Sequence, residues 1–276
     1  MAEVTLKDIT RLREETGAGI MDCKKALIEA GGDFEKAKEI LRKKGRELMQ
    51  LKAGRQANEG VVAILVSDDK KYGVGITLKC ETDFVAMNEQ FQELAKQIAE
   101  LAIANKPASL EDLLKVKSGD GLPIEELIGE AVGKIGEKIE LGDYALLKGE
   151  YVYPYVHYNK KVGTIVAFDK VVPEEVAKNI AMHITAMNPI ALDESDVPEE
   201  IVQKEKEIAI EQARQQGKPE HILKRIAEGK IKKFYKERTL LNQPLFNNPD
   251  LTIRDYLAKD GGGASIIKFK RLSVEE

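Results

Sequence analysis

The sequence has few of the residues on which metal sites and disulfide frameworks depend. Its 276 residues include two cysteines, three histidines and no tryptophan. Cys23 and Cys80 lie far apart without a CxxC spacing, so the thiols are too few for a zinc site or a disulfide framework. The histidines His157, His183 and His221 lack the spacing of metal ligands. We therefore expect no metal site, and we expect His183, within an apolar helix, to be packed and hydrogen-bonded.

Motifs of phosphate binding and hydrolysis are also absent. The sequence contains no GxxxxGK[ST], HExxH, GxSxG or EF-hand loop. A glycine run at 261–263 is not followed by a lysine-bearing helix, which is typical of a turn before a strand. We therefore expect no catalytic residues and no cofactor, and this pattern does not favour an enzyme.

Long hydrophobic runs are missing as well. No stretch approaches the ~20 apolar residues that a bilayer requires. The start, Met-Ala-Glu, differs from a signal peptide and from an Arg-rich transit peptide, so we expect a cytoplasmic protein without membrane contact. The 43 basic and 47 acidic residues give a net charge of -4. Because nucleic-acid binding depends on neutralising phosphates, this balance does not favour direct nucleic-acid binding.

The first part of the chain shows helical periodicity. Residues 5–44 read as three short helices, with Leu6, Ile9 and Leu12 on one face of the first. Glycines end the first two helices, and Asp33 is placed as the N-cap of the third. Residues 45–58 are polar and unpatterned, which indicates a linker. The predicted N-terminal domain with its linker covers residues 1–54.

The rest of the chain predicts an α+β fold built from two related lobes, 55–140 and 141–276. Strands at 61–66 and 72–80 are followed by a helix at about 88–105, and strands at 151–158 and 162–168 are followed by a helix at about 174–187. Six of fourteen residues are identical when 94–107 is aligned with 176–189. Each lobe is expected to be a hairpin-containing sheet covered by a helix. A last helix is expected at 251–257 and a last strand at 264–272.

A charged segment interrupts the second lobe. Residues 197–237 carry sparse apolar positions, namely Ile201, Ile208, Ile222 and Ile226, and Gly217-Lys218-Pro219 divides the run. A thin apolar seam with polar flanks predicts an antiparallel coiled-coil insertion, an arm at about 190–237. The arm could dimerise, contact a partner or do both, so a homodimer remains open.

One junction stands out as a candidate recognition site. Thr82-Asp83-Phe84-Val85 follows a strand and precedes a helix, and such junctions are exposed by default. An exposed aromatic beside a carboxylate suits an anchor for protein recognition. In the alternative, Phe84 packs under its own lobe and Asp83 caps the next helix.

Four segments together resemble the elongation factor Ts family. They are residues 16–27 (Thr-Gly-Ala-Gly-Ile-Met-Asp-Cys-Lys-Lys-Ala-Leu), 82–85 after a strand ending at Cys80, 180–184 (Ile-Ala-Met-His-Ile), and 217–219. The resemblance spans nearly the whole chain. It implies a ubiquitin-associated-like three-helix domain, two core subdomains and a coiled-coil insertion. It also implies guanine-nucleotide exchange on elongation factor Tu, with displacement of that partner's Mg²⁺ and release of GDP during translation elongation.

The resemblance also implies which residues contact elongation factor Tu. Thr82, Asp83, Phe84 and Val85 are expected near the partner's magnesium site, with Phe84 wedged between partner side chains. Secondary contacts are expected from Arg13, Ile20, Met21 and His157. For Met21, a place in the core of its helix bundle is the alternative. For the whole chain, the rival function is an adaptor or chaperone-like binding module without exchange activity.

Overall fold

A computed structural model describes residues 4–275, beginning with a three-helix domain. The helices are α1 (Leu6–Thr16), α2 (Ile20–Glu29) and α3 (Phe34–Lys52). Thr5 and Asp8 form a capping box on α1, and Asp33 caps α3 as predicted. Gly17 ends α1 with φ 68°, a backbone conformation that favours glycine. The first two helices therefore end at or close to glycines as predicted, and α3 begins where the sequence indicates.

The first lobe is a three-stranded antiparallel sheet with helices on one face. Its elements are β1 (Glu59–Val66), β2 (Tyr72–Cys80), α4 (Asp83–Ala86), α5 (Glu89–Asn105), α6 (Leu110–Leu114), α7 (Ile124–Ile135) and β3 (Ile139–Lys148), and the strand order is β1-β2-β3. The predicted boundary at residue 140 falls inside β3, which pairs with β2 from Cys80 to Tyr72. We propose that this lobe extends to 148.

The predicted linker at 45–58 is largely helical instead. Helix α3 continues to Lys52 and packs against α7, where a Cβ on Gly45 would lie 2.5 Å from the carbonyl oxygen of Gly129. The ion pairs Arg42–Glu130 (2.8 Å) and Arg46–Glu126 (3.0 Å) flank this close approach. Because these residues face a second helix through polar groups and glycine, they show no apolar stripe in the sequence.

The second lobe repeats the first and carries the insertion. Its elements are β4 (Tyr151–Val156), β5 (Val162–Phe168), α8 (Glu174–Met187), α9 (Glu199–Gln215), α10 (Glu220–Arg238), β6 (Pro244–Leu245), β7 (Asn248–Thr252), α11 (Ile253–Asp260) and β8 (Ile266–Ser273). The main sheet has the order β4-β5-β8, and β6 and β7 form a small hairpin. Helix α8 has the predicted bounds, whereas α11 and β8 each begin two residues later than predicted.

Matching backbone details confirm that the two lobes are related. Both hairpins place a lysine at positive φ, Lys70 at 56° and Lys160 at 57°. In both turns the preceding Asp69 or Asn159 accepts a 3.0 Å bond from the backbone N–H two residues later. The long helices α5 and α8 also both end in a left-handed residue that precedes a proline. The α+β class predicted from the sequence is confirmed, while the likeness to ubiquitin-associated domains stays a prediction.

The coiled-coil arm is present, but its seam differs from the predicted one. Helices α9 and α10 pack through buried residues, namely Val202, Ala209, Ala213, Leu223, Ala227 and Ile231. The predicted seam residues Ile201 and Ile208 are exposed, and Ile222 and Ile226 are half-buried. Alanines make up half of the buried seam, and the four predicted isoleucines lie at its rim.

His183 is packed and hydrogen-bonded, as predicted. It is fully buried; its Nε2 lies 2.8 Å from Gln243 Oε1, and its Nδ1 accepts a 3.2 Å bond from the Phe246 N–H. Burial lowers the pKa of this imidazole below its ordinary value, so the ring is a neutral core residue. In the part of the chain that the structure describes, every helix is too short or too polar to cross a bilayer.

The two main sheets pack face to face. Val62, Leu147, Val152, Ile165 and Leu272 form a shared buried cluster between them. Glycines in β2 and β5 allow this approach, since a Cβ on Gly73 would come within 2.8 Å of Ile165 and one on Gly163 within 2.8 Å of Ile64. The opposite face of each sheet is covered by its own helices.

We predict that Gly75→Ala destabilises the protein by about 1–3 kcal/mol, because the added methyl would overlap Leu272 Cδ1 and press on Ile165 across the sheet contact. Chemical denaturation would measure the change in the free energy of unfolding. The matched control is Gly229→Ala in α10, where a Cβ meets nothing within 4 Å and helix propensity favours alanine by up to ~1 kcal/mol. Equal stabilities of the two variants would contradict the close-packed contact.

Candidate protein-binding site

The segment 82–87 forms a short projecting turn, here called the tip, between β2 and α5. Phe84 is 79% exposed and Asp83 is also exposed, so the alternative in which Phe84 packs under its own lobe is wrong. Val85 and Ala86 face inward and pack on the core of the first lobe. Met87, which the sequence did not single out, is 63% exposed beside the aromatic. The tip therefore presents an apolar surface with a carboxylate at its edge.

Thr82 fixes the start of the tip. It is the N-cap of α4, and its hydroxyl accepts a 3.4 Å bond from the Val85 N–H. The same hydroxyl donates to Glu137 Oε1 at 2.7 Å, and the Thr82 N–H donates to Glu137 Oε2 at 3.0 Å. One carboxylate from the turn between α7 and β3 thus accepts both hydrogen-bond donors of the N-cap residue. Reasoning from the sequence missed Glu137, since it is distant in the chain.

The residues before Thr82 are held by the same turn. Glu81 accepts the Lys138 N–H at 2.6 Å and pairs with Arg55 at 3.2 Å. The Lys138 N–H, followed by Arg55, holds the pKa of Glu81 below its usual range. Lys138 Nζ in turn donates to the Arg55 carbonyl oxygen at 2.9 Å. The base of the tip is therefore tied to the chain that enters β1.

Cys80, at the end of β2, has a structural role. Its thiol donates to the Thr82 carbonyl oxygen at 3.2 Å. Burial, with the nearby carboxylates of Glu137 and Glu59, raises the pKa of Cys80 to about 12. At neutral pH the group is a protonated thiol and a poor nucleophile. Among residues 4–275, no group of three or more His, Cys, Asp or Glu side chains is arranged to hold a metal ion.

The β4–β5 turn of the second lobe lies against the first lobe close to the tip. Lys160 donates through Nζ to Gln92 Oε1 at 2.7 Å, and its carbonyl oxygen accepts the Val62 N–H at 2.7 Å. Lys161 pairs with Glu59 at 2.6 Å. The Glu59 carboxylate holds the pKa of Lys161 above its usual range. Gln92, which accepts from Lys160, in turn donates through Nε2 to the Ala86 carbonyl oxygen of the tip at 3.1 Å. The turn and the tip are therefore neighbours.

His157 begins this turn. It is half-buried, and its Nδ1 lies 3.0 Å from the Tyr155 hydroxyl. The adjacent Tyr158 is 87% exposed, with its ring 4.5 Å from the imidazole. Reasoning from the sequence missed Tyr158, although an aromatic residue at the apex of a hairpin is the same signal that singled out Phe84. The turn adds a second exposed aromatic to this side of the molecule.

The other predicted contact residues lie on the N-terminal domain. Arg13, Ile20 and Met21 are all exposed, on the last turn of α1 and the first turn of α2. Met21 is therefore not a core residue of its helix bundle, which excludes the alternative. Cys23 and Leu27, on the opposite face of α2, fill that core instead. Two exposed apolar residues and an exposed arginine on one small domain suit contact with another protein.

The fold and the exposed tip together define an α+β protein whose candidate site is suited to protein recognition. Comparison with known proteins identifies its relatives. A family model described as Elongation factor TS matches residues 81–276. Proteins named Elongation factor Ts from Amoebophilus asiaticus and Porphyromonas gingivalis are 46% and 43% identical to the chain, and each alignment covers 98% or more of both sequences. That from Aquifex aeolicus is 42% identical, with 98% of each covered. The chain belongs to the elongation factor Ts family.

We predict that Phe84→Ala leaves the free energy of unfolding within about 0.5 kcal/mol of wild type, because the ring is largely in solvent. The control is Phe91→Ala in α5, whose ring is fully buried and whose loss should cost about 3–5 kcal/mol. Denaturant titration followed by circular dichroism would measure both. A loss at Phe84 comparable to that at Phe91 would show that the ring packs within its own lobe.

Proposed function

We propose that this chain is a guanine-nucleotide exchange factor for elongation factor Tu that promotes GDP release during translation elongation. Membership of the elongation factor Ts family supports the reaction and the partner. The observation that carries the mechanism is the exposed Phe84 on a hydrogen-bonded, capped turn. A cytoplasmic location follows from work in translation and stays a prediction.

The Phe84 ring is the group proposed to open the partner's Mg²⁺ site. A GTPase holds its nucleotide through phosphate contacts and a Mg²⁺ ion that neutralises their charge. Phe84 inserts between side chains beside that Mg²⁺ site, and Asp83 hydrogen-bonds the partner groups that are displaced. Thr82 and Val85 set the geometry of the tip. Loss of the Mg²⁺ leaves phosphate charge unneutralised and weakens the hold on GDP.

Linkage sets how much the factor must contribute. The factor binds the nucleotide-free partner more tightly than the GDP-bound partner. The free-energy difference between these two binding reactions equals the amount by which the factor weakens the partner's binding of nucleotide. A nanomolar GDP complex corresponds to about -12 kcal/mol. A differential of ~5.5 kcal/mol changes occupancy from 99:1 to 1:99. A few well-placed anchors supply energies of this size.

Two further surfaces are proposed to widen the contact. Arg13, Ile20 and Met21 contact the partner's nucleotide-binding domain from the N-terminal domain. His157, on the turn beside the tip, contacts the nucleotide-binding side of the partner. These residues lie on α1, on α2 and on the β4–β5 turn, and their contacts orient the partner while the tip acts on the Mg²⁺ site. None of them is required to perform covalent chemistry.

We predict that Phe84→Ala slows the stimulated release of GDP about 30-fold or more, because a hot-spot anchor contributes at least ~2 kcal/mol. Elongation factor Tu preloaded with fluorescent GDP would be mixed with catalytic amounts of factor and excess unlabelled GDP. The matched control is Val171→Ala, an apolar residue that is 73% exposed at the corresponding junction of the second lobe. Its release rate should equal wild type.

The same assay tests the rival function. Stable binding of wild-type protein without faster GDP release would favour an adaptor or chaperone-like module and overturn the exchange proposal. Wild-type rates for the Phe84→Ala variant, with wild-type protein active, would overturn the wedge alone. The two failures are therefore distinguishable within one experiment.

A further inference from the structure

The second lobe offers an internal comparison for the tip. Each lobe has a turn that leads from a helix into its third strand, at 136–139 and at 263–266. Both turns start with a glycine at positive φ, Gly136 at 81° and Gly263 at 75°, and both end with an isoleucine that begins the strand. Register confirms the match, because these isoleucines pair with the last residues of β2 and β5. Position 137 in the first lobe therefore corresponds to 264 in the second.

One hydrogen bond is common to both lobes. The residue that follows the second strand is Glu81 in the first lobe and Asp169 in the second. Glu81 accepts the Lys138 N–H at 2.6 Å, and Asp169 accepts the Ser265 N–H at 2.6 Å. In both lobes, a carboxylate at this position therefore bonds the backbone just before the third strand begins. This bond belongs to the shared fold.

A second interaction occurs only in the first lobe. Glu137 accepts both the N–H and the hydroxyl of Thr82, at 3.0 and 2.7 Å. At the matching position the second lobe has Ala264, which is buried and has no polar side chain. Lys170, which follows Asp169 as Thr82 follows Glu81, donates through Nζ to the Gly263 carbonyl oxygen instead. The second lobe thus forms the turn into its third strand without a carboxylate at this position.

The difference coincides with the tip. Eight residues, 81–88, separate β2 from α5, whereas five residues, 169–173, separate β5 from α8. The longer connection is the one that contains α4 and the exposed Phe84. The Thr82 hydroxyl, which donates to Glu137, also accepts the Val85 N–H on the other side of the aromatic. Glu137 is therefore linked through one side chain to both ends of the exposed segment.

We propose that Glu137 is a positioning residue for exchange: its carboxylate holds the tip in the orientation that presents Phe84 to the partner, and it is dispensable for the fold itself. This inference rests on the proposed function. A charged acceptor makes stronger hydrogen bonds than a neutral one. A preorganised binding segment also avoids the cost of ordering when the complex forms.

The test compares Glu137→Ala, Glu137→Gln and Glu150→Ala in the fluorescent-GDP release assay. The Glu137→Ala variant has at position 137 the same residue type as Ala264 at the matching position of the second lobe. It should therefore fold with near wild-type stability. We expect its stimulated release rate at sub-saturating factor to fall about threefold to tenfold. Glutamine keeps one acceptor oxygen and should recover part of the rate. Glu150, an exposed carboxylate paired with Lys71 away from the tip, is the control and should match wild type.

A double-mutant cycle separates positioning from a general structural effect. If Glu137 acts through Phe84, then Glu137→Ala should have little further effect in a Phe84→Ala background. An equal loss in both backgrounds, or a large drop in the free energy of unfolding, would overturn the inference, as would wild-type rates for Glu137→Ala while Phe84→Ala is impaired. Wild-type rates for Phe84→Ala itself would count against the proposed wedge, so the two failures remain distinct.

Discussion

The arrangement of the candidate site depends on the close contact between the two main sheets. Valine, isoleucine and leucine side chains of the two sheets meet across Gly73, Gly75 and Gly163, positions at which any side chain would enter the opposite sheet. This contact fixes the second lobe on the first and brings the β4–β5 turn against β1, where the Val62 N–H bonds to the Lys160 carbonyl oxygen. The tip and the turn that carries His157 and Tyr158 are consequently parts of one surface. A looser contact would leave them independent.

The duplicated lobe also separates what the fold requires from what it does not. The hairpin turn, the left-handed end of the long helix and the carboxylate that closes the sheet occur twice. Features that occur once include the tip with Glu137 in the first lobe and the coiled-coil arm in the second. Departures from local consistency are where function is expected in natural proteins. The repeat thereby marks the same segment that the exposure of Phe84 marks.

Much of the fold could be predicted from the sequence because its elements have strong local signals. The β-branched runs gave β1, β2 and β5, and the amphipathic stripe and proline gave α8 its bounds. The linker predicted at 45–58 was wrong over 45–52, because these residues look polar and unpatterned in the sequence while Gly45 lets them pack against α7. Strand β3 was missed since Gly142 and Asp143 interrupt its apolar alternation at an irregularity in the register. The arm's seam was misassigned because alanines carry little periodic signal beside isoleucines.

The candidate site also contains residues that the sequence could predict and residues that it could not. The segment 82–85 could be found because a strand–helix junction with an aromatic is a local pattern, and the family resemblance gave it a role. Glu137 could not be found, because its partner Thr82 is 55 residues away and a lone glutamate has no pattern. Contacts between distant residues are set by topology, which only the structure supplies.

The physical demand on an exchange factor explains why such a distant contact would matter. The factor forms no covalent bond with its partner, so all of its effect comes from binding the nucleotide-free state better than the GDP-bound one. A ring on a mobile loop would lose part of that difference to ordering when it enters the partner. A ring on a capped turn, whose N-cap is held by a carboxylate from the next strand's entry, keeps it. The hydrogen bonds that hold Thr82 at the start of the tip are therefore as important to the proposed mechanism as the Phe84 ring itself.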